Sequence, residues 1–298
     1  MSERFRQVFA LMPDRLRQGM LSLSDEEQGR VEEIRLRTGQ PPALTISNEV
    51  RCTHGNPVEQ QELELLLQAA CKWSMHTVLD QLCNGYMTVE GGHRIGVVGT
   101  AVMEGERVRT ICDISSINIR IARQITGCAS DIALQITKED RPVNTLIVAP
   151  PGGGKTTILR DLIRIFSQRG IRVSVADERG ELAAMWRGTV QMDLGPATDV
   201  LTGCPKAQAI QILLRGMNPQ VIAVDEITAP EDVRAMELAV GCGAAILATA
   251  HAETTADLCK RPLYRALLEA GVIERFVVLG REGTARTAQV KNVRELIC

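Results

Sequence analysis

Residues Ala149-Pro150-Pro151-Gly152-Gly153-Gly154-Lys155-Thr156-Thr157 constrain this chain more than any other stretch, because an apolar run, Thr145 to Val148, precedes them and a helical pattern, Ile158 to Phe166, follows. Consecutive glycines let backbone N–H groups turn toward phosphate oxygens. Lys155 adds a point charge for the β- and γ-phosphates, and the Thr156 hydroxyl is placed to ligate Mg²⁺. The helix that follows offers its positive N-terminus to the same anion. The loop from Pro151 through Gly152, Gly153, Gly154, Lys155 and Thr156 to Thr157 is therefore expected to bind a nucleoside triphosphate, ATP with Mg²⁺. The usual pattern, G-x-x-x-x-G-K-[ST], asks for glycine where this chain has Ala149. Alanine is small, and the glycines at 152 to 154 remain.

The whole chain, 298 residues with 45% hydrophobic and 23% charged side chains, has the make-up of a globular protein and a length that suggests two domains. A formal net charge of −2 gives no general case for nucleic acid as a partner. Nine scattered cysteines, with no C-x-x-C pair, argue for reduced thiols in a cytoplasm rather than a disulfide framework or a zinc site. No apolar stretch approaches the roughly 18 residues of a membrane span, and Glu3, Arg4 and Arg6 open the chain without a signal-peptide core. Neither direct membrane insertion nor export is expected.

Patterning changes near Lys138-Glu139-Asp140-Arg141-Pro142. Residues 1–137 read as a smaller α+β domain. In it, Phe5 to Met12 and Leu63 to Leu79 have helical spacing, and Ala43 to Ile46, Arg94 to Val102 and Ile117 to Ala122 look like strands. Residues 138–298 alternate apolar runs with helical patterns, which predicts an α/β domain with a parallel sheet covered on both faces. Its expected strands are Thr145 to Ala149, Arg172 to Ala176, Val221 to Val224, Ala245 to Thr249 and Phe276 to Leu279.

In that domain, Val221-Ile222-Ala223-Val224-Asp225-Glu226 is an apolar strand ending in two carboxylates, the Walker B form. Phosphoryl hydrolysis needs charge neutralisation and an oriented water, and adjacent acids at a strand's carboxyl end provide both. Asp225 is expected to hold Mg²⁺ through water, and Glu226 to orient the attacking water. A second cluster, Asp177-Glu178-Arg179-Gly180-Glu181, follows another strand and should emerge on the same sheet edge, where ligands gather. Glu178 is the candidate for a second water or metal contact, with Asp177 behind it; the competing reading is that these acids cap the next helix. The strand Ala245 to Thr249 runs on to His251, and either Thr249 or His251 is placed to sense the γ-phosphate. The remaining histidines, 54, 76 and 93, share no ligand spacing, so no other metal site is expected.

These four elements, in this order, resemble the secretion-superfamily ATPases of type II and type IV systems, with their Walker A loop, acidic box, Walker B strand and histidine box. Ala244 stands where the first histidine of that box is usual. Almost the whole chain is closer still to one branch, the stage III sporulation protein AA family, through Arg94-Ile95-Gly96-Val97-Val98-Gly99-Thr100-Ala101, through Asp113 to Arg123, and through Asp177-Glu178-Arg179-Gly180-Glu181. The resemblance implies a RecA-like P-loop NTPase domain and an ATPase of endospore formers, acting in the mother-cell cytoplasm on membrane proteins of a sporulation channel complex. It also implies a homohexameric ring in which the N-terminal domain contributes arginines. Arg120 and Arg123 fit that role; on a strand they point to differing sides, so at most one reaches phosphate. Arg94 is a third candidate. ATP hydrolysis coupled to domain movement is the mechanism this implies, with a nucleotide-gated scaffold of little turnover as the alternative. Eight aromatic residues, with no basic interleaving, speak against a nucleic-acid translocase.

Overall fold

The structure, a computed structural model, describes residues 3–20, 23–47, 49–53, 55–71, 85–283 and 285–293. It divides into two compact units, Met1–Arg123 together with Ala184–Gln191, and Gln124–Ala183 together with Met192–Cys298. Residues 124–137, assigned from the sequence to the first domain, thus belong to the second. The tie is Asp161, a buried carboxylate that accepts hydrogen bonds from the backbone N–H groups of Gly127 at 3.0 Å and Ala129 at 2.8 Å, ahead of the helix Ser130–Gln135.

In the first unit, strands β1 (Val31–Arg37), β2 (Ala43–Ile46), β3 (Glu49–Cys52), β4 (Tyr86–Thr88), β5 (Arg94–Glu104) and β6 (Arg107–Arg120) form one antiparallel sheet in the order β3-β2-β1-β6-β5-β4. Period-two alternation puts Ile34, Leu36, Ile95, Val97, Ile117 and Ile119 into one core. Phe5 and Val8 of the helix Glu3–Ala10, Leu16 of the helix Asp14–Gln18, and Leu63 and Leu66 of the helix Gln60–Cys71 close over them. Pro13 separates the first two helices, since it lacks the N–H that a continuous helix needs. Of the helix read over Leu63 to Leu79, residues 72–79 lie outside the described residues. Among the described residues, β5 and β6 beyond Val98 pair only with each other, which leaves Val98 60% and Met103 54% exposed on a two-stranded ribbon. That double exposure is why no alternation marked the β6 half of the ribbon in the sequence.

His93 belongs to this core. It is fully buried, its Nδ1 accepts from the Ala122 backbone N–H at 3.1 Å, and its Nε2 meets Gln7 Oε1 at 3.0 Å. Burial, and then the Arg4 guanidinium, lower its pKa from 6.5 to about 4.

The second unit opens with a two-stranded hairpin, β7 (Thr137–Lys138) and β8 (Arg141–Pro142). Its main sheet comprises β9 (Thr145–Ala149), β10 (Val173–Asp177), β11 (Thr198–Thr202), β12 (Val221–Val224), β13 (Ala245–His251), β14 (Arg275–Glu282) and β15 (Ala285–Asn292). The order is β11-β10-β12-β13-β9-β14-β15, with every pairing parallel except β14 with β15. Strands β9, β10 and β12 are buried along their whole length, as strands covered by helices on both faces must be. In-register pairing brings Ala149 opposite His251 and Val224 opposite Ala176, so the carboxyl ends of β9, β10, β12 and β13 share one edge.

Candidate functional site

Strand β9 delivers the chain into the glycine loop, and the helix Lys155–Gln168 starts directly behind it. Gly152 at φ 72° and Gly154 at φ 93° occupy the left-handed region that favours glycine. Gly153 is required for a different reason. A Cβ there would lie 2.6 Å from the Ala149 Cβ and 2.9 Å from the Pro150 carbonyl oxygen. The methyl of Ala149 therefore occupies the space that a side chain at 153 would need, so the departure from glycine at 149 is accommodated by the glycine at 153.

Lys155 folds back over this loop. Its Nζ donates to the carbonyls of Ala149 at 3.0 Å and Pro150 at 3.1 Å and to His251 Nδ1 at 2.7 Å. Burial lowers its pKa, with Asp225 and Glu226 opposing that effect. Because an ammonium only donates, Nδ1 of His251 is the acceptor and its Nε2–H faces Glu226 Oε1 at 3.3 Å. His251 thus bridges the loop lysine and the second acid of β12, while its own carbonyl accepts from Arg261 at 2.7 Å.

Asp225 is held by two hydroxyls, Thr156 at 3.2 Å and the fully buried Thr249 at 2.8 Å. Burial raises its pKa, the hydroxyls oppose the rise, and Glu181 and Glu226 add to it. Thr249 Oγ1 also accepts the Glu226 backbone N–H at 2.8 Å, which pins Glu226 at φ 45°. A side chain in that region costs about 1–2 kcal/mol. With Thr249 sealed in the sheet, His251 is the member of this pair that contacts the loop.

The acid cluster after β10 splits into two roles. Asp177, buried, accepts from the backbone N–H groups of Glu181 at 2.9 Å, Leu182 at 3.1 Å and Ala183 at 2.9 Å, and Arg160 donates to the Leu182 and Glu181 carbonyls at 2.9 and 2.7 Å. Asp177 thus folds a loop rather than capping a helix. Burial raises its pKa against those three N–H groups. Glu178 takes a 2.5 Å ion pair from the nearly buried Lys206, and Arg179 lies 3.7 Å from Glu226. With Asp225 and Glu226 these residues line a polar cavity of about 20 Å³, room for a water. Lys206 carried no signal in the sequence beyond following Pro205 at a helix start.

On the other side of the loop, Gly153, Gly154 and Thr157 open into a mainly apolar pocket of about 270 Å³, walled by Ile125, Ile132, Ile158 and Leu279. Arg286 of β15 borders it. Pro151 and Gly152 are exposed at the loop tip.

The arginines of the first unit are engaged within it. Arg120 Nε donates to Glu33 at 2.8 Å, Arg123 donates to the carbonyls of Gly29 and Val31 at 3.2 and 3.0 Å, and the Arg94 guanidinium stacks 3.6 Å from the Tyr86 ring centroid. Arg123 lies past the end of β6, not on it.

For a divalent cation, Thr156 and Asp225 offer hard oxygen donors already hydrogen-bonded to each other. Among the described residues no three His, Cys, Asp or Glu side chains gather as a protein-only cage. That donor set suits Mg²⁺, which keeps waters and takes one or two protein ligands plus phosphate.

A glycine loop on β9, acids at the ends of β10 and β12, and β13 inserted between β9 and β12 define a RecA-like α/β domain, here joined to a smaller α+β unit. Two solved structures share the fold: the Legionella pneumophila ATPase DotB, with TM-score 0.59 and 16% identity over 90% of this chain and 79% of that one, and the pilus retraction motor PilT with bound ADP, with TM-score 0.59 and 17% identity over 91% and 83%. The chain belongs to the family described as sporulation stage III, protein AA, whose model matches residues 2–295. It is 34% identical over 291 residues to the stage III sporulation protein AA of Bacillus subtilis strain 168, covering 95% of this chain and 94% of that one. No described helix is long and apolar enough to cross a membrane.

Proposed function

We propose that this chain is a Mg²⁺-dependent ATP hydrolase that acts as a homohexameric ring in the mother-cell cytoplasm, on membrane proteins of a sporulation channel complex, with hydrolysis driving domain movement. The observation that carries the reading is the chain of contacts from Lys155 through His251 to Glu226, beside Thr156 and Asp225, with Asp225 and Glu226 also lining a cavity that admits one water.

Backbone N–H groups of residues 154 to 156 receive the phosphates while that of Gly153 stays on the Pro150 carbonyl at 3.0 Å, and Lys155 exchanges its carbonyl partners for phosphate oxygens. Mg²⁺ at Thr156 and Asp225 would neutralise charge on the β- and γ-phosphates. Glu226 orients the water in the cavity and takes its proton as the oxygen attacks the γ-phosphorus; ADP leaves with the bridging oxygen, and inorganic phosphate is released. Glu178, held by Lys206, sets the far wall of the water site. His251 loses its lysine partner when Lys155 turns to phosphate and so reports occupancy to Glu226. Arg120 or Arg123 is the candidate for a further phosphate contact.

The test is ATP turnover of the purified protein beside Lys155→Ala and Glu226→Gln, with mass measured in each nucleotide state. Turnover should fall at least about a hundredfold in both, while Glu226→Gln still binds ATP and assembles. A scaffold is the second reading, favoured by the buried Ala244, which stands where the resemblance asks for the first histidine of its box; wild-type binding and assembly without turnover would establish it instead.

A further inference from the structure

Thr156 and Thr157 are consecutive, yet they serve opposite sides of the glycine loop. Thr156 bonds Asp225 at the acidic side, whereas Thr157 lines the apolar pocket. A phosphate chain lying in the loop with its terminal group toward Asp225 and Glu226 must therefore direct its nucleoside toward that pocket. The walls suit such a guest: Ile125, Ile132, Ile158 and Leu279 supply apolar area, and 270 Å³ approaches the usual range for a small-ligand site.

Arg286 stands at the junction of pocket and loop. A Cβ on Gly154 would lie 3.2 Å from Arg286 Nη1 and 3.7 Å from its Cζ, so the guanidinium rests directly over the last glycine of the loop. It is the second residue of β15, opposite Arg281 in the antiparallel pair, and among the described residues its side chain has neither a hydrogen bond nor an ion pair. A guanidinium with no carboxylate partner among the described residues, resting on the last glycine of the loop, has the fork geometry that phosphate oxygens take.

We propose that Arg286 and this pocket form the nucleoside end of the site: Arg286 grips the phosphates next to the sugar, from the same chain as the loop, and the apolar walls take the purine face. The inference rests on the nucleotide reading above and adds a binding residue outside the loop, the acids and the first-unit arginines.

The pocket carries its own reporter. Cys128 lines it, and Cys52 and Cys242, also exposed, lie elsewhere. Labelling with N-ethylmaleimide, followed by peptide mass spectrometry, should show ADP slowing modification of Cys128 at least about tenfold while leaving Cys52 and Cys242 unchanged. Equilibrium binding of ADP should weaken by about tenfold to a hundredfold in Arg286→Ala and by less in Arg286→Lys, the range expected for a charge-assisted contact, with both variants melting like the wild type. If ADP binds the wild type and is lost in Lys155→Ala, yet Cys128 labels at the same rate and Arg286→Ala binds normally, the nucleoside end lies elsewhere and only this inference falls. Failure of ADP to bind the wild type overturns it together with the nucleotide reading.

Discussion

At the scale of single residues, Ala149 and Gly153 act as one unit, since the methyl of the first fills the space beside the second. Gly153→Ala should distort the loop and cost about 1–3 kcal/mol of stability, as overpacked sites do, with loss of ADP binding. Adding Ala149→Gly should recover part of that loss, because it removes the nearer of the two clashes and leaves only the Pro150 carbonyl. Measuring both singles and the double as a cycle gives the coupling; simple additivity would contradict the packing described. The loop residues were readable from sequence because their chemistry is local: glycines, lysine and threonine succeed one another along the chain. Lys206 and Arg286 were not, because each meets its neighbours only through sheet order, Lys206 across β10 and Arg286 from the last antiparallel strand. The role of Thr249 was open in the sequence for the same reason, since burial against Asp225 is a property of register.

At the scale of elements, Asp177 with Arg160 builds the turn that carries Glu178 and Arg179. Asp177→Ala would leave the N–H groups of residues 181 to 183 without their acceptor in a buried place, for an expected loss of about 3 kcal/mol or more. Asp177→Asn should lose less, as it keeps one acceptor. Denaturant midpoints would report the order, and an Asp177→Ala protein as stable as wild type would argue that the turn is held by Arg160 alone. Element recognition followed burial. The strands Thr145–Ala149 and Val221–Val224 were legible to the residue because unbroken apolar runs mark strands covered on both faces. In contrast, β11 and β15 are edge strands of mixed polarity, Thr-Asp-Val-Leu-Thr and Ala-Arg-Thr-Ala-Gln-Val-Lys-Asn, and neither pattern separates them from loops. The pocket wall formed by β15 was hidden with them.

At the scale of the whole molecule, the two units have separate cores and should respond differently to acid. His93 is neutral in the folded first unit, with its pKa near 4 against 6.5 when unfolded. Between those values the unfolded chain binds the extra proton, so the stability His93 contributes is present above pH 6.5 and is lost as pH falls toward 4. Urea midpoints at about pH 7.5 and about pH 4.5 should therefore separate more in wild type than in His93→Gln; equal separations would remove His93 as the source. The units also differ in continuity. The first takes its last piece, Ala184–Gln191, from within the second, where Gln191 Oε1 accepts from the Gly91 backbone at 2.7 Å and Arg187 donates to the Cys71 carbonyl at 3.4 Å. The polypeptide consequently passes between units three times, after residues 123, 183 and 191. Neither half can be expressed whole by truncating the gene at one point, a single protease nick after Arg123 would not set the halves free, and any exchange of modules among relatives would have to carry this embedded segment along with the first unit.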